Sequence, residues 1–379
     1  MLSTYLSRDA ARSLRLGASW VSREGILSMD GTPVLGEPVQ LRDEDGRVLG
    51  LADLDLESSY TVRRLGLPEE VAEGLVPRHL RQALERRARL VDDPRFCRLV
   101  NDDGDGLPGL TIDRYDTHFV VQSFTRAMDA RVQEIGRALV EVAGASSVLL
   151  RNDGPRRKPL GLPLQRPHVL YGSPPRWCRM LELGARFTVD LSYGRRTGYH
   201  YDQRELRRFI GRMSQGARVF DPCCTTGGLF VHAGLHGAKS VRAYEANADA
   251  AELARENAEA NGLSGRARVE QGESLAVLKA NRETYDLVLL DTPDARTDEA
   301  FIERVRLGLR ATRRGGRLAV VGYHPPLSAG TFDSNVALAC EHEQRIAFRI
   351  GRFGLPPDHP TPVGSPTAEY LEAVALEVN

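Results

Sequence analysis

The C-terminal half of the chain alternates short apolar runs with segments of helical spacing, and this alternation constrains the fold more than any other feature. From about residue 216, ARVFDPCC, SVRAYEA, ARVEQG, YDLVLLD and GGRLAVVGY are typical of strands, whereas GGLFVHAGLHG and ADAAELARENAEANGL are typical of helices. Strands that alternate with helices lie parallel, because the chain crosses over the sheet between them. We therefore predict an α/β fold whose parallel sheet is covered on both faces.

A glycine-containing loop follows the first of these strands, in the stretch FDPCCTTGG. In parallel sheets a ligand binds beyond the carboxyl ends of the strands, near the first strand-to-helix turn. Gly227 and Gly228 let the backbone approach a ligand closely, and the helix that follows presents free N–H groups. A glycine pair alone is weak support, but its place here predicts a cofactor loop at Gly227 and Gly228, with Asp221 at the strand end.

Acidic residues stand at the ends of the later strands. Glu245 follows the glycine pair by about 18 residues, the distance expected of a carboxylate that accepts from ribose hydroxyls. Glu273, after the third strand, is suited to an adenine amino group, and Asp291 ends the fourth strand. The G-x-G-x-x-G pattern of dinucleotide-binding proteins is absent from this loop, so the layout favours S-adenosylmethionine over NAD as the cofactor.

Two adjacent cysteines, Cys223 and Cys224, lie in the same loop. No Cys or His accompanies them at metal-ligand spacing, so the sequence predicts no metal site. Small buried side chains beside the loop explain the pair better than a nucleophile does, although a nucleophilic Cys224 stays open. We interpret Cys340 as a core residue of a later helix.

Composition narrows the class of protein without identifying a partner. Lys+Arg and Asp+Glu both number 51, and nearly all of the basic residues are arginine. Arginine is well suited to phosphate contacts, so the neutral balance leaves RNA open as a partner. No apolar run is long enough to span a membrane, and the charged first 20 residues do not resemble a signal peptide, so we expect a cytoplasmic protein.

The N-terminal part is built differently. Residues 1–68 are typical of a β-rich module, with two strands around the turn Asp45-Gly46 and another in SYTVRRLGL. Residues 69–95 have helical spacing, and two further strands flank Tyr115-Asp116. The proline-rich stretch GPRRKPLGLPLQRPHVLYGSPPRW is predicted to be an irregular connection.

We divide the chain into three predicted domains, over residues 1–68, 69–185 and 186–379. Two groups of arginines in the central domain need no function under this interpretation. The helical stretch LERRARL is interpreted as a solvated helix face. The loop cations Arg156, Arg157 and Lys158 of RNDGPRRK are interpreted as solvated surface in preference to a phosphate contact, which stays open.

Four stretches carry a resemblance to a known family: RRTGYHYDQRELRR, DGLPGLTIDRY, FDPCCTTGG and DHPTPVGSPTAEYLEAVALEV. Together they resemble the bacterial PUA-containing, class I S-adenosylmethionine-dependent 23S ribosomal RNA methyltransferases of the cytosine-C5 type. The resemblance implies a PUA-like β domain, a central α+β domain and a Rossmann-like methyltransferase domain. It also implies 23S ribosomal RNA as the partner, and it leaves a homodimer open.

The resemblance implies roles for particular residues. One block would border the methionine end of the cofactor and the target base, and it comprises Arg196, Thr197, Gly198, Tyr199, Asp202, Gln203 and Arg204. Thr226, Gly227 and Gly228 would form the cofactor loop. Glu245 stands where the family usually has Asp, and Asp358-His359-Pro360 matches a late loop near the family's active site. Trp20 and Arg63 fall at positions of the PUA-like domain.

Two departures from the family pattern affect the chemistry. The fourth-strand motif Asp-Pro-Pro is Asp291-Thr292-Pro293 here, and Tyr323 stands where the family carries its nucleophilic cysteine. Carbon 5 of cytosine is a poor nucleophile until a thiolate adds to carbon 6, so this route needs a substitute such as Cys224. Methylation of a ring nitrogen or an exocyclic group needs only positioning and a base, which Asp291, Tyr323 or His324 could supply.

The sequence thus leaves several functions open. The leading hypothesis is a methyltransferase that acts on RNA, with Asp291, Tyr323 and Cys224 as candidate catalytic residues. The alternatives are a catalytically degenerate relative that still binds RNA or cofactor, and a methyltransferase redirected to a small molecule or a protein.

Overall fold

A computed structural model describes residues 1–324, 330–365 and 369–379 of the chain. Its contacts divide the chain into two compact units, Met1–Arg176 with Pro357–Ala368, and Trp177–Pro356 with Glu369–Asn379. The three predicted domain boundaries stay a prediction. Pro325 and Pro326, which follow the predicted position of the missing cysteine, lie outside the described residues.

The first unit begins with a β sheet, as the sequence predicts. Its elements are β1 (Ser3–Leu6), α1 (Arg8–Arg15), β2 (Trp20–Val21), β3 (Ile26–Met29), β4 (Val39–Arg42), β5 (Val48–Leu54) and β6 (Val62–Gly66). The strand order is β2-β6-β5-β4-β1-β3. The predicted hairpin around Asp45-Gly46 is confirmed, because β4 and β5 pair antiparallel on either side of it. Trp20 and Arg63 are directly opposite each other in β2 and β6.

A second sheet in this unit is packed against helices. Its elements are α2 (Leu75–Leu90), β7 (Phe96–Asn101), β8 (Leu110–Tyr115), β9 (His118–Ser123), α3 (Arg126–Ala130), α4 (Val132–Ala143), β10 (Ser147–Leu150) and β11 (His168–Gly172). The strand order is β11-β10-β9-β8-β7. The helix predicted over 69–95 begins only at Leu75, after Gly74 in the left-handed conformation. The proline-rich stretch is not wholly irregular, because its proline-free segment HVLYG forms β11 at the sheet edge.

The prediction of solvated arginines in this unit is wrong for two of them. Arg87 is 1% exposed and pairs with Asp105, and Arg157 is 1% exposed and pairs with Asp129. In both cases a carboxylate that is distant in sequence compensates the buried charge. Local sequence pattern does not show such pairs.

The second unit contains the predicted α/β sheet. Its elements are β12 (Trp177–Glu182), β13 (Ala185–Asp190), α5 (Arg204–Met213), β14 (Arg218–Asp221), α6 (Gly228–Leu235), β15 (Ser240–Glu245), α7 (Ala248–Ala260), β16 (Ala267–Gln271), α8 (Ser274–Ala280), β17 (Tyr285–Asp291), α9 (Asp298–Ala311), β18 (Thr312–Tyr323), α10 (Phe332–His342), β19 (Ala347–Phe353) and β20 (Leu371–Val378). The large sheet has the order β16-β15-β14-β17-β18-β20-β19, and β12 pairs with β13 in a separate hairpin. Cys340 lies in α10, as predicted.

The sheet is parallel from β16 to β18, and β20 runs antiparallel to both β18 and β19. The predicted parallel sheet is confirmed from β16 to β18, and the antiparallel edge was not predicted; there the chain returns to insert its last strand. The strand order reverses between β14 and β17, which places the carboxyl ends of those two strands side by side. Ligands of open α/β sheets bind at such a reversal. Among the described helices, none is long and apolar enough to cross a bilayer.

Candidate active site

The loop between β14 and α6 is held in shape by its own backbone and by Glu245. Gly227 has a φ of 94°, and a Cβ there would lie 2.9 Å from the Phe230 ring, so only glycine suits this position. The Thr225 N–H donates to Glu245 Oε2 (3.1 Å), and the Asn247 N–H donates to Oε1 (2.9 Å). Glu245 ends β15 as predicted, and in this structure its carboxylate braces the loop.

A small cavity lies beside this loop, and several of the predicted residues meet there. Its lining is Tyr199, His200, Gln203, Arg207, Cys223, Cys224, Thr225, Thr226, Gly228, Leu229 and Asp291. The block around residue 200 therefore reaches the glycine loop and the end of β17, although these segments are far apart in sequence. His200, Arg207 and Cys223 were not predicted to be site residues. The sequence signal that could have found Arg207 is its position one helical turn after Arg204.

Asp291 is the centre of a buried hydrogen-bonded triangle. The Gln203 Nε2 atom donates to Asp291 Oδ2 (2.9 Å) and to the Tyr323 hydroxyl (2.8 Å), and that hydroxyl donates to Asp291 Oδ1 (2.9 Å). Burial raises the pKa of Asp291 to about 6, although the bonds from Gln203 and Tyr323 oppose the rise. Burial and the neighbouring Asp291 carboxylate raise the pKa of Tyr323 well above its usual value. The triangle thus holds a carboxyl group that titrates near neutrality beside a protonated phenol.

Arg196 connects this triangle to a second acidic residue. Its Nη1 atom lies 2.9 Å from Asp202 Oδ2 and donates to the Tyr370 hydroxyl (3.1 Å). Its guanidinium also lies over the rings of Tyr323 and Tyr370, at 5.4 and 5.1 Å from their centroids. The Tyr370 hydroxyl donates to the same Asp202 oxygen (3.1 Å). These contacts hold the Tyr323 ring in position within the triangle.

Glu182 accepts hydrogen bonds from two residues that line the cavity, Tyr199 and Arg207. It accepts from the Tyr199 hydroxyl (3.0 Å), from Arg204 Nε (3.2 Å) and from Arg207, whose Nη2 lies 2.8 Å away. Burial acts to raise its pKa, but the Arg207 charge and the bonds from His232 and Arg207 lower that pKa far below its usual value. One carboxylate therefore pairs with two arginines, Arg204 and Arg207, and this group of three side chains carries a net positive charge.

The two loop cysteines are buried, and their environment disfavours the thiolate. Burial raises the pKa of Cys223 and of Cys224 well above the usual value, and nearby carboxylates add to the rise. The Cys224 thiol lies 3.8 Å from the carbonyl of Thr225. Reactive cysteines have lowered pKa values, in contrast to both of these. Among the described residues, no cluster of three metal-ligating side chains occurs.

Other predicted residues lie outside the cavity lining. Asp221 is buried beneath the loop, where its Oδ1 accepts from the Cys223 N–H (3.3 Å) and burial raises its pKa. Thr197 is fully buried, and Gly198 has a φ of 124°, so both shape the turn before Tyr199. Glu273 is exposed and lies just before α8. The Asp358-His359 pair is buried in the first unit, where Asp358 accepts from the Arg98 N–H (3.0 Å).

Comparison with known proteins identifies the class. A family model described as a PUA-like domain matches residues 5–66, and one described as an S-adenosylmethionine-dependent methyltransferase matches residues 105–324. The second match covers more than half of the chain, so the chain belongs to the S-adenosylmethionine-dependent methyltransferase family. Its cofactor is accordingly S-adenosylmethionine, as the strand-end carboxylates and the glycine loop predict.

Curated relatives and solved structures agree with this class. The ribosomal RNA large subunit methyltransferase I of Tolumonas auensis is 30% identical over 392 residues, which cover 99% of this chain and 98% of the relative. A structure from Streptococcus mutans described as a SAM-dependent methyltransferase covers 100% of both chains at 20% identity, with a TM-score of 0.83. Another methyltransferase, solved in complex with SAH, gives a TM-score of 0.82 at 20% identity and covers 100% of both chains. The last two comparisons confirm the predicted fold, and none of the three supports a homodimer.

Proposed function

We propose that this chain methylates RNA, with large-subunit ribosomal RNA as the substrate. Two findings support the substrate class: the relatives that match along almost the whole chain carry the name of a ribosomal RNA methyltransferase, and the PUA-like family model matches the N-terminal module. The neutral charge balance is compatible with this proposal, because arginine makes up nearly all of the basic charge.

The residues around the glycine loop fit the cofactor. Several buried polar atoms lack a hydrogen-bond partner within the described parts of the chain, and those at or beneath the loop include Arg207 Nη1, the ring nitrogens of His200 and Asp221 Oδ2. Buried polar groups are normally paired, so their position at and beneath the loop supports a polar ligand there. In this proposal Thr226, Gly227 and Gly228 border the cofactor, and Glu245 and Glu273 are available for its ribose and adenine. The bound cofactor supplies an electrophilic methyl group carried on a sulfonium sulfur.

The chain's own contribution to the chemistry lies in the triangle of Gln203, Asp291 and Tyr323. At pH 7 most Asp291 side chains are ionised, since the pKa is about 6, and a base of this strength suits neutral conditions. Gln203 and Tyr323 donate to its two oxygens and fix their direction. We assign Asp291 as the acceptor of the proton that the substrate atom releases, and Tyr323 and Gln203 as the residues that position it.

This assignment favours methylation of a nitrogen or an exocyclic group over cytosine carbon 5. Attack at carbon 5 requires a thiolate, whereas burial raises the pKa of both loop cysteines. The phenol of Tyr323 does not replace the thiolate, because its pKa is raised as well. The observation that carries the proposal is the hydrogen-bonded Asp291 carboxyl group at the point where the strand order reverses. Asp291 is the first residue of the segment that corresponds to the fourth-strand Asp-Pro-Pro motif of the family that the chain resembles.

The test uses the full chain, S-adenosylmethionine labelled in the methyl group, and ribosomal RNA from a strain that lacks the gene. Label should enter large-subunit RNA, and mass spectrometry of the digested nucleosides should find it in a nucleoside other than 5-methylcytidine. Label in 5-methylcytidine would overturn the proposed chemistry and make Cys224 the first residue to replace. Absence of label from free RNA and assembled subunits, with cofactor binding intact, would overturn the RNA substrate.

A further inference from the structure

A second cavity, of about 330 Å³, lies within the first unit and shares no lining residue with the cavity at the glycine loop. Its walls come from the connection between β5 and β6, from residues 124–127 after β9, and from residues 159–162 of the proline-rich stretch. Both sheets of the unit therefore contribute to it. Its volume lies at the lower end of the range of small-molecule sites, about 300–1,000 Å³.

Two aromatic rings line this cavity, and a guanidinium group lies over each of them. Arg63 lies over the Tyr60 ring, 5.1 Å from its centroid, and Trp20 packs edge-on against the same ring at 4.4 Å between centroids. Arg156 lies over the Phe124 ring, 5.4 Å from its centroid. Aromatic rings and guanidinium planes are the surfaces on which proteins stack the unpaired bases of RNA.

The three carboxylates that line the cavity are compensated by arginines. Asp53 pairs with Arg131 (2.5 Å), whereas Asp55 and Glu57 both contact Arg126. The lining therefore offers hydrogen-bond donors and acceptors without a large excess of either charge. Such a lining suits the edges of an uncharged group that itself carries donors and acceptors, as a nucleobase does.

The cations nearest the cavity are not all used in ion pairs. Arg63 and Lys158 take no part in the ion pairs found among the described residues. Lys158 and Arg156 are exposed on the turn Pro155–Leu160, whose last two residues line the cavity. An exposed cation beside a base-sized cavity is suited to the phosphate of the same nucleotide. The phosphate contact that the sequence leaves open for this loop is thus retained for Arg156 and Lys158.

We propose that this cavity binds one unpaired nucleotide of the RNA substrate, with the base stacked against Tyr60 and Arg63 and the phosphate at Lys158. The inference rests on the proposed RNA substrate and deepens it by naming a second contact for that RNA. The bound nucleotide is a recognition nucleotide and not the methylated one, because the cavity shares no residue with the cofactor loop. Binding here selects RNA that is single-stranded at this point, since a paired base is not available for stacking.

The test measures the affinity of the full chain for large-subunit RNA from a strain that lacks the gene, by filter binding at several salt concentrations. Tyr60→Ala should weaken binding about 10–100-fold, because it removes one base–aromatic stack. Tyr60→Phe keeps the ring and should stay within about threefold of the wild type. Lys158→Gln should reduce the slope of log affinity against log salt concentration by about 1, as expected for one lost phosphate contact, whereas Tyr60→Ala should leave that slope unchanged.

A tyrosine outside the cavity provides the matched control. Tyr171 lies in the edge strand β11 of the same unit and is 46% exposed, against 39% for Tyr60, so Tyr171→Ala should leave the RNA affinity unchanged. Titration calorimetry with S-adenosylmethionine should give the wild-type affinity for every variant, because the cavity is separate from the cofactor loop.

The outcomes separate this proposal from the proposed function. Unchanged RNA affinity in Tyr60→Ala, or an equal loss in Tyr60→Phe, would overturn the nucleotide site while RNA stays the substrate. Free mononucleotides that bind the wild-type chain but not Tyr60→Ala, with RNA affinity unchanged, would assign the cavity to a free nucleotide and overturn its RNA role. A wild-type chain that neither binds nor methylates RNA would refute the proposed function itself.

Discussion

Arg87 in the first unit and Arg207 in the second are both buried helical arginines that pair with a carboxylate, yet their hydrogen bonding differs. Each nitrogen of Arg87 donates to a protein oxygen: Nε to the Arg98 carbonyl (2.8 Å), Nη1 to Asp105, and Nη2 to both Asp105 (2.7 Å) and the Asp358 carbonyl (2.7 Å). Arg207 makes the equivalent pair with Glu182 but leaves Nη1 at a cavity.

This difference indicates that Arg87 only stabilises the fold, whereas Arg207 has a donor available for a ligand. A buried ion pair stabilises a fold only when every donor and acceptor has a partner, as at Arg87. At Arg207 the fold tolerates an unpaired donor, and such local conflicts are expected at functional sites. Burial and ion pairing are similar for the two arginines. They differ because every Arg87 nitrogen donates a hydrogen bond within the protein, whereas Arg207 Nη1 does not.

The largest effect on stability should come from the fully paired arginine. Arg87→Met removes the bonds to Asp105 and to two carbonyls, and we expect the free energy of unfolding to fall by about 3 kcal/mol or more. Urea denaturation measures this loss. The variant should still gain thermal stability when S-adenosylmethionine is added, because binding stabilises the folded state. A loss below about 1 kcal/mol would contradict the structural role of Arg87.

Gly228→Asp should abolish cofactor binding. The new carboxylate would start from a Cβ that lies 3.5 Å from Arg207 Nη1, and would enter the cofactor site proposed at the glycine loop. We expect the affinity for S-adenosylmethionine to fall at least about 100-fold, equivalent to about 2.7 kcal/mol, while the fold stays intact. Titration calorimetry measures the affinity.

Gly228→Ala is the matched control for that variant. Its methyl group meets Arg207 and Tyr199 at ordinary contact distance, so the affinity should change far less than in Gly228→Asp. Unchanged affinity in Gly228→Asp would refute the assignment of the glycine loop as the cofactor site.

Asp291→Asn should increase stability at alkaline pH and reduce activity. The carboxyl group holds its proton more tightly in the folded state, with a pKa of about 6 against about 3.9 unfolded, so its ionisation destabilises the fold as the pH rises through that window. At pH 8 the variant should therefore be about 1–3 kcal/mol more stable than the wild type, and near pH 4 the difference should vanish.

Methyl transfer by Asp291→Asn should fall by about 100-fold or more, since a general base contributes at least that factor. Urea denaturation at the two pH values, with a single-turnover assay, measures both effects. Wild-type activity in the variant would show that Asp291 is not the proton acceptor.

The smallest effect should come from an exposed ion pair whose N···O distance is similar to that of the buried ion pairs but whose side chains are open to solvent. Lys279 Nζ lies 2.9 Å from Glu303 Oε1, but the two side chains are 55% and 43% exposed. Lys279→Met should change the free energy of unfolding by less than about 1 kcal/mol, because solvent screens the pair. A loss as large as that of Arg87→Met would show that ion-pair distance, and not burial with complete hydrogen bonding, decides stability here.

Much of the fold follows from local pattern. The alternating runs predict β14 to β18 and the helices between them, because side-chain periodicity and glycine placement are local properties. The same pattern places Asp221, Glu245 and Asp291 at strand ends, where the structure has them. The antiparallel edge of β20 and β19 escaped prediction, since insertion of the last strand beside β18 depends on contacts remote in sequence.

The sequence by itself therefore determined the class of sheet, the position of the glycine loop and the carboxylates around it. Only the tertiary structure decided which arginine meets which carboxylate: Glu182 comes from a hairpin and Arg207 from α5, and their charges are compensated only after both are buried. In the same way Gln203, Asp291 and Tyr323 become one triangle because the start of α5 meets the carboxyl ends of β17 and β18. Ion pairing and the burial of charged side chains depend on how the whole chain packs, so a local sequence pattern does not predict them.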